Sequence, residues 1–74
     1  MELFRVQMFI DNDHIDTCDL LEVGIFSSLA IANDATETFK QVRNASSGVV
    51  LTTQYELDKL DSYKLVESKG FNRG

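Results

Sequence analysis

An alternating apolar run that breaks at an Asn-Asp corner does most to limit what this chain can become. From Leu3 to Ile10 the residues LFRVQMFI put Phe4, Val6, Met8 and Ile10 on one side of an extended backbone, and Leu3, Arg5, Gln7 and Phe9 on the other. Successive side chains of a strand point to opposite faces, so the segment predicts a strand with one face well buried. Asp11-Asn12-Asp13-His14 then supplies turn chemistry, because Asn and Asp tolerate unusual backbone angles and bond to neighbouring amides.

Beyond that corner the pattern turns acidic and helical. Asp16 predicts an N-cap and Asp19 favours the positive end of a helix dipole, while Leu21, Ile25, Leu29 and Ala32 recur at helical spacing; a helix is read over about Thr17 to Ala32. Gly24 costs such a helix about 1 kcal/mol relative to Ala, and Ile25 to Ile31 also alternates well enough to be a second strand. Both readings stay open. Asp34 with Glu37 reads as an acidic capping box for a second helix, carrying Ala35, Phe39 and Val42 on one face and ending near Ala45. Ser46-Ser47-Gly48 is a stop, and Val49 to Thr53 predicts a short strand, central and covered on both sides. Thr53 with Glu56 opens a third helix buried through Leu57 and Leu60.

The last segment reads two ways. Tyr63 to Glu67 alternates like an edge strand, whereas Lys69-Gly70-Phe71 looks like a helix end with Phe71 folded back on Val66. The strand is preferred, because a three-stranded sheet covers more of the helices' apolar surface. The expectation is one α+β domain over residues 1–74, in the order β-α-α-β-α-β, with a three-stranded sheet covered by helices and a frayed tail at 72–74.

A chain of 74 residues buries only about 60% of the surface its unfolded form exposes, which leaves roughly 3–5 kcal/mol of core-derived stability. Its one cysteine, Cys18, cannot form an internal disulfide and points to a reducing cytoplasm. Met1-Glu2-Leu3 is acidic where a signal peptide is basic, and no apolar run approaches the ~18 residues that span a bilayer. A soluble cytoplasmic protein with no membrane partner is therefore expected. The net charge of −5 is unevenly placed, since no Lys or Arg falls between Arg5 and Lys40, where Asp11, Asp13, Asp16, Asp19, Glu22, Asp34 and Glu37 all lie. Such an acidic surface repels phosphate backbones, which argues against nucleic acid, and steers the protein toward a basic partner.

Chemistry can be tested residue by residue. His14 and Cys18 are spaced to share a helical face, but Asp16 and Asp19 raise a thiol pKa by like-charge repulsion and no third orienting group is evident. One His and one Cys are too few for zinc. Asp11, Asp13, Asp19 and Glu22 match the first, third, ninth and twelfth positions of a calcium loop, but Ile15 replaces a ligand and Asp16 replaces the required glycine. No glycine-rich phosphate loop is present. The sequence therefore predicts no enzyme, no metal and no cofactor.

The expected element order, with its Asn-Asp turn, resembles the compact domain of ClpS-type protease adaptors, which shares its fold with the C-terminal domain of the bacterial ribosomal stalk protein. The likeness spans roughly Phe4 to Leu60 and is carried by FRVQMFIDNDHIDTCDLLEV and FKQVRNASSGVVLTTQYEL. In that family the Asn-Asp pair binds the free amino group of a degradation signal, so the resemblance implies a site at Asn12 and Asp13. Arg43 stands where the family has a histidine, and a permanent guanidinium repels an ammonium. Glu56 keeps the acidic position of the chaperone-facing side, whereas Asp61 stands where a lysine is usual.

These readings predict a non-enzymatic protein-binding module, an adaptor or modulator of a partner such as a Clp-type protease chaperone, with Asn12, Asp13 and Arg43 lining a shallow site and Glu56 at a partner surface. The alternative is a small acidic phage-type inhibitor or nucleic-acid-mimicking decoy, whose carboxylates at Asp11, Asp16, Asp19, Glu22, Asp34 and Glu37 dock on a basic surface of a host protein. A homodimer is left open, with Leu3, Phe9 and Phe26 as its candidate surface.

Overall fold

The structure, a computed structural model, describes residues 1–12, 17–45, 47–59 and 62–72. It contains β1 (Glu2–Asn12), β2 (Thr17–Phe26), α1 (Leu29–Arg43), β3 (Ser47–Glu56) and β4 (Lys64–Asn72). The four strands form one antiparallel sheet in the order β2-β1-β3-β4. This corrects the expected three-stranded β-α-α-β-α-β arrangement: the order is β-β-α-β-β, with four strands and one helix among the described residues.

β1 organises the rest. It pairs with β2 from Phe4↔Phe26 to Asn12↔Thr17, and on its other side with β3 from Glu2↔Glu56 to Ile10↔Gly48. Because β2 and β3 are both antiparallel to β1, they run parallel to each other, and parallel strands need a crossover. α1 is that crossover and packs over β1 and β2. The alternation of β1 decides which side it covers: Val6 and Met8 are fully buried beneath it with Ala32 and Val50, and Phe4, Ile10, Val23, Phe26, Phe39 and Phe71 close around them.

The helix starts at Leu29, twelve residues later than the start at Thr17 that its sequence periodicity suggests. Ser28 is the N-cap, in extended conformation, and its hydroxyl accepts the Ile31 N–H at 3.2 Å. Small residues at the contact, Ala32 and Thr36, allow close approach to the sheet, and the buried Thr36 hydroxyl is satisfied by donating to the Ala32 carbonyl at 2.7 Å. Lys40 and Arg43 complement the dipole in the last turn. Asn44, left-handed at φ 54°, ends the helix, and the Ala45 N–H bonds back to the Lys40 carbonyl at 3.0 Å.

Residues 17–26 form a strand that contains a bulge. The register with β1 shifts between Val6 and Gln7, so Val23 is an extra residue and the period of two is broken. That slip brings apolar residues into accidental helical spacing. Gly24 sits beside it at φ 153°, a backbone region that glycine adopts most readily. Asp34 and Glu37 lie inside α1, which continues through Asn33 without a break. Thr53 and Glu56 belong to β3, not to a third helix; Leu60 lies outside the described residues, as does Asp16. β3 is internal but not covered on both sides, since Val50 and Thr52 are buried while Val49 on the opposite face is exposed. Asn72, expected in a frayed tail, pairs with Ser47 in β4.

Gly48 marks the closest approach in the sheet. A Cβ there would fall 2.0 Å from the Phe9 carbonyl oxygen, with φ at 159°. Gly70 differs, because its Cβ would meet only the Gly48 carbonyl oxygen at an ordinary 3.8 Å. Gly48→Ala is expected to cost about 2 kcal/mol or more and lower Tm by roughly 10 °C, whereas Gly70→Ala should stay within about 1 kcal/mol. Thermal denaturation followed by circular dichroism measures both, and equal melting of the two variants would contradict the β1–β3 register.

Candidate functional site

One helix covers one face of the sheet, and the other face is bare. The residues of β1 that point away from α1 are Leu3, Arg5, Gln7 and Phe9, and the register sets Ile25, Glu22 and Leu20 of β2 beside them. Tyr55, Thr53, Leu51 and Val49 of β3 line their other flank, and Leu65 of β4 lies beyond Thr53. Among the described residues no element packs on this face. Ile25, Leu65 and Leu20 are left 64%, 59% and 52% exposed. Tyr55 and Tyr63 extend the surface, with ring centroids 6.2 Å apart.

At the middle of this apolar surface sits one charged couple. The Arg5 guanidinium donates to both carboxylate oxygens of Glu22, from Nε at 3.1 Å and from Nη2 through a second, shorter contact. Gln7 donates to the same carboxylate at 3.1 Å. Two-point pairing of guanidinium and carboxylate fixes both groups in orientation as well as in charge. Hydrogen bonding to Arg5 holds the Glu22 carboxyl below the usual glutamate range, against the opposing effect of desolvation. The same bond, with a smaller contribution from Tyr55, raises the Arg5 pKa. Leu3, Arg5, Glu22, Gly24, Ile25 and Tyr55 together line a shallow hollow of about 740 Å³.

The shape of the molecule shows how much is left uncovered. It measures 41 × 22 × 15 Å with a radius of gyration of 13.0 Å, against about 11 Å for a compact chain of this length. Its accessible surface is 5237 Å², whereas a compact monomer of this mass exposes about 4,600 Å².

The sequence-predicted residues are divided by the fold. Asn12 ends β1, and Asp13, with Asp16, lies outside the described residues. Arg43 ends α1, whose far terminus leads into Ser47 and Gly48, level with Ile10; the topology therefore brings Arg43 to the same end of the sheet as Asn12. The Arg43 guanidinium stacks over the Phe39 ring at 5.5 Å. Glu56 is at the opposite end, paired with Lys59 at 3.3 Å. Of the acidic positions, Asp11 and Asp19 pair across β1 and β2 with Cys18 and Ile10, Glu22 faces the open side, and Asp34 and Glu37 lie on α1 across the sheet from it. Leu3 and Phe9 belong to the bare face, whereas Phe26 packs against the core.

A second, narrower groove of about 350 Å³ runs between α1 and the β3–β4 side. Lys40, only 13% exposed, meets Glu37 at 3.1 Å and lies 4.4 Å over the Phe71 ring, and Lys69 reaches Glu67 at 3.8 Å, while Asp34 also lines the groove. The Lys40 side chain is what links α1 to Phe71 of β4 across this groove. Among the described residues no cluster of His, Cys, Asp or Glu has a metal-ligand arrangement, and no helix is long and apolar enough to cross a membrane.

Sequence reasoning did not single out Arg5, Leu20, Ile25, Tyr55 or Leu65. The available signal was Leu3 and Phe9 flanking Arg5, since a strand apolar on both sides asks for cover on both. Compared with family models, with curated proteins and with solved structures, the chain matches none.

Glu22 makes acid stability a test of the couple. A carboxyl whose pKa is depressed by folding contributes stability that is fully present above its unfolded value, about 4.3, and is lost as pH falls through the lower folded value. Tm of the wild type should therefore fall through this acidic window, and Glu22→Gln should flatten that part of the curve while lowering Tm near neutrality. Parallel curves for the two proteins would contradict the pairing.

Proposed function

We propose that this chain is a non-enzymatic protein-binding module that docks protein on the bare face of its sheet. The observation that carries the reading is the exposure of Ile25, Leu65 and Leu20 around an ordered Arg5–Glu22 couple on a face with no covering layer. Contiguous apolar surface rimmed by polar groups marks interaction sites, and an aligned charge couple gives such a surface register. The module works in a reducing cytoplasm, a placement supported by its single cysteine. The protease-adaptor form of this reading drew on an element order that the chain does not have, so no chaperone partner is carried over.

A second reading, the acidic decoy, draws support from the absence of Lys and Arg between Arg5 and Lys40. Salt separates the two, because contact through exposed charges collapses as ionic strength rises and burial of apolar surface does not.

An immobilised copy, incubated with extract of cells that also make the untagged chain, is expected to retain protein at high salt. Ile25→Glu and Leu65→Glu should abolish retention, and Val42→Glu, on the 76%-exposed outer side of α1, should leave it unchanged. Retention indifferent to Ile25 and Leu65 would remove the docking face; retention lost with salt alone would favour the decoy.

A further inference from the structure

We infer that the protein seated on the bare face is a second copy of this chain, packed sheet to sheet about a two-fold axis through the Arg5–Glu22 hollow. The inference rests on the docking-face reading and names its occupant.

Three observations point to a like partner. The first is area. The chain as a whole exposes roughly 600 Å² beyond a compact monomer of its mass, of the order of the ~800 Å² that each partner contributes to a standard interface, and Leu20, Ile25 and Leu65 on the bare face are each more than half exposed. Two copies face to face would form a sandwich with the helices outside, its apolar layers about 10 Å apart. The second is charge. An isologous contact sets each patch against itself, so a patch carrying one sign repels its own copy. The bare face instead carries a cation and an anion side by side, with Arg5 and Glu22 held in one plane by two hydrogen bonds. Rotated by a two-fold axis, Arg5 of one protomer meets Glu22 of its partner, and Glu22 meets Arg5. Each charge, already paired within its protomer, gains a second opposite neighbour when water leaves the hollow.

The third observation concerns the other route to self-association, edge pairing. β4 is guarded by Lys64, Lys69 and a bulge opposite Thr52 and Thr53. β2 has no lysine or proline, but the bulge at Val23 interrupts its edge and breaks the regular run of pairing groups. The bare face, by contrast, carries both signs of charge within one apolar surface.

The test is the oligomeric state of the full chain by sedimentation equilibrium from micromolar to millimolar concentration. Wild type is expected to be a dimer. Ile25→Glu should weaken the dimer at least about tenfold while keeping the wild-type circular dichroism spectrum. Arg5→Glu gives a face with two carboxylates and Glu22→Arg a face with two guanidinium groups, so each should be monomeric alone. Mixed one to one, they should form a heterodimer of wild-type strength at low salt. A dimer that survives Ile25→Glu, or a mixture that stays monomeric while both variants fold, would overturn the inference. A wild type that is monomeric throughout would also overturn it. In that case, capture of a different protein by wild type and not by Ile25→Glu, from cells lacking the untagged chain, would leave the docking face standing with another occupant. Failure of that capture as well would remove both.

Discussion

The antiparallel pairing of β1 with two neighbours is the constraint from which the remaining architecture follows. Once β2 and β3 lie on either side of β1, they are parallel, and the chain between them must cross the sheet. The crossing segment carries one helix of 15 residues, which covers the side holding Val6 and Met8. Among the described residues no second helix covers the other side, because β4 extends the sheet instead of layering on it. The bare face is a consequence of connectivity, not of surface composition alone.

How the molecule tolerates this face follows from where its polar groups lie. Among the described residues Val6, Met8, Ala32, Ala45 and Val50 are the buried apolar ones, a small core for four strands. The Arg5–Glu22 couple, joined by Gln7, places an oriented polar cluster where continuous apolar surface would otherwise invite unspecific association. The couple also gives the face a direction, which apolar contact by itself lacks. On the helix side the equivalent task falls to Lys40, whose stem and ammonium bridge α1 to Phe71 of β4.

Much of β1 was legible in the sequence, because Phe4, Val6, Met8 and Ile10 alternate without interruption. β2 was not, for a physical reason: the bulge at Val23 shifts the alternation by one residue, so that Leu21, Ile25 and Leu29 fall into a helical rhythm across a strand, a bend and a helix start. Gly24 carried the correcting signal, since a glycine that weakens a helix marks a bulge well. The Thr53–Glu56 and Asp34–Glu37 spacings matched capping boxes by composition, yet one lies in a strand and the other inside a helix, because tertiary pairing outweighs a local preference of about 1 kcal/mol. The candidate site was hidden for a related reason. Arg5 and Glu22 are 17 residues apart, and only the shifted register brings them together.

The central claim is that this face is covered when the protein is at work. Methyl NMR with a soluble paramagnetic relaxation agent tests it directly, by comparing the methyl groups of Leu20, Ile25 and Leu65 with those of Val42 at low and high protein concentration. The account predicts that the three face residues are strongly broadened in dilute solution and protected in concentrated solution, while Val42 is broadened in both. Equal broadening of all four residues at every concentration would contradict it.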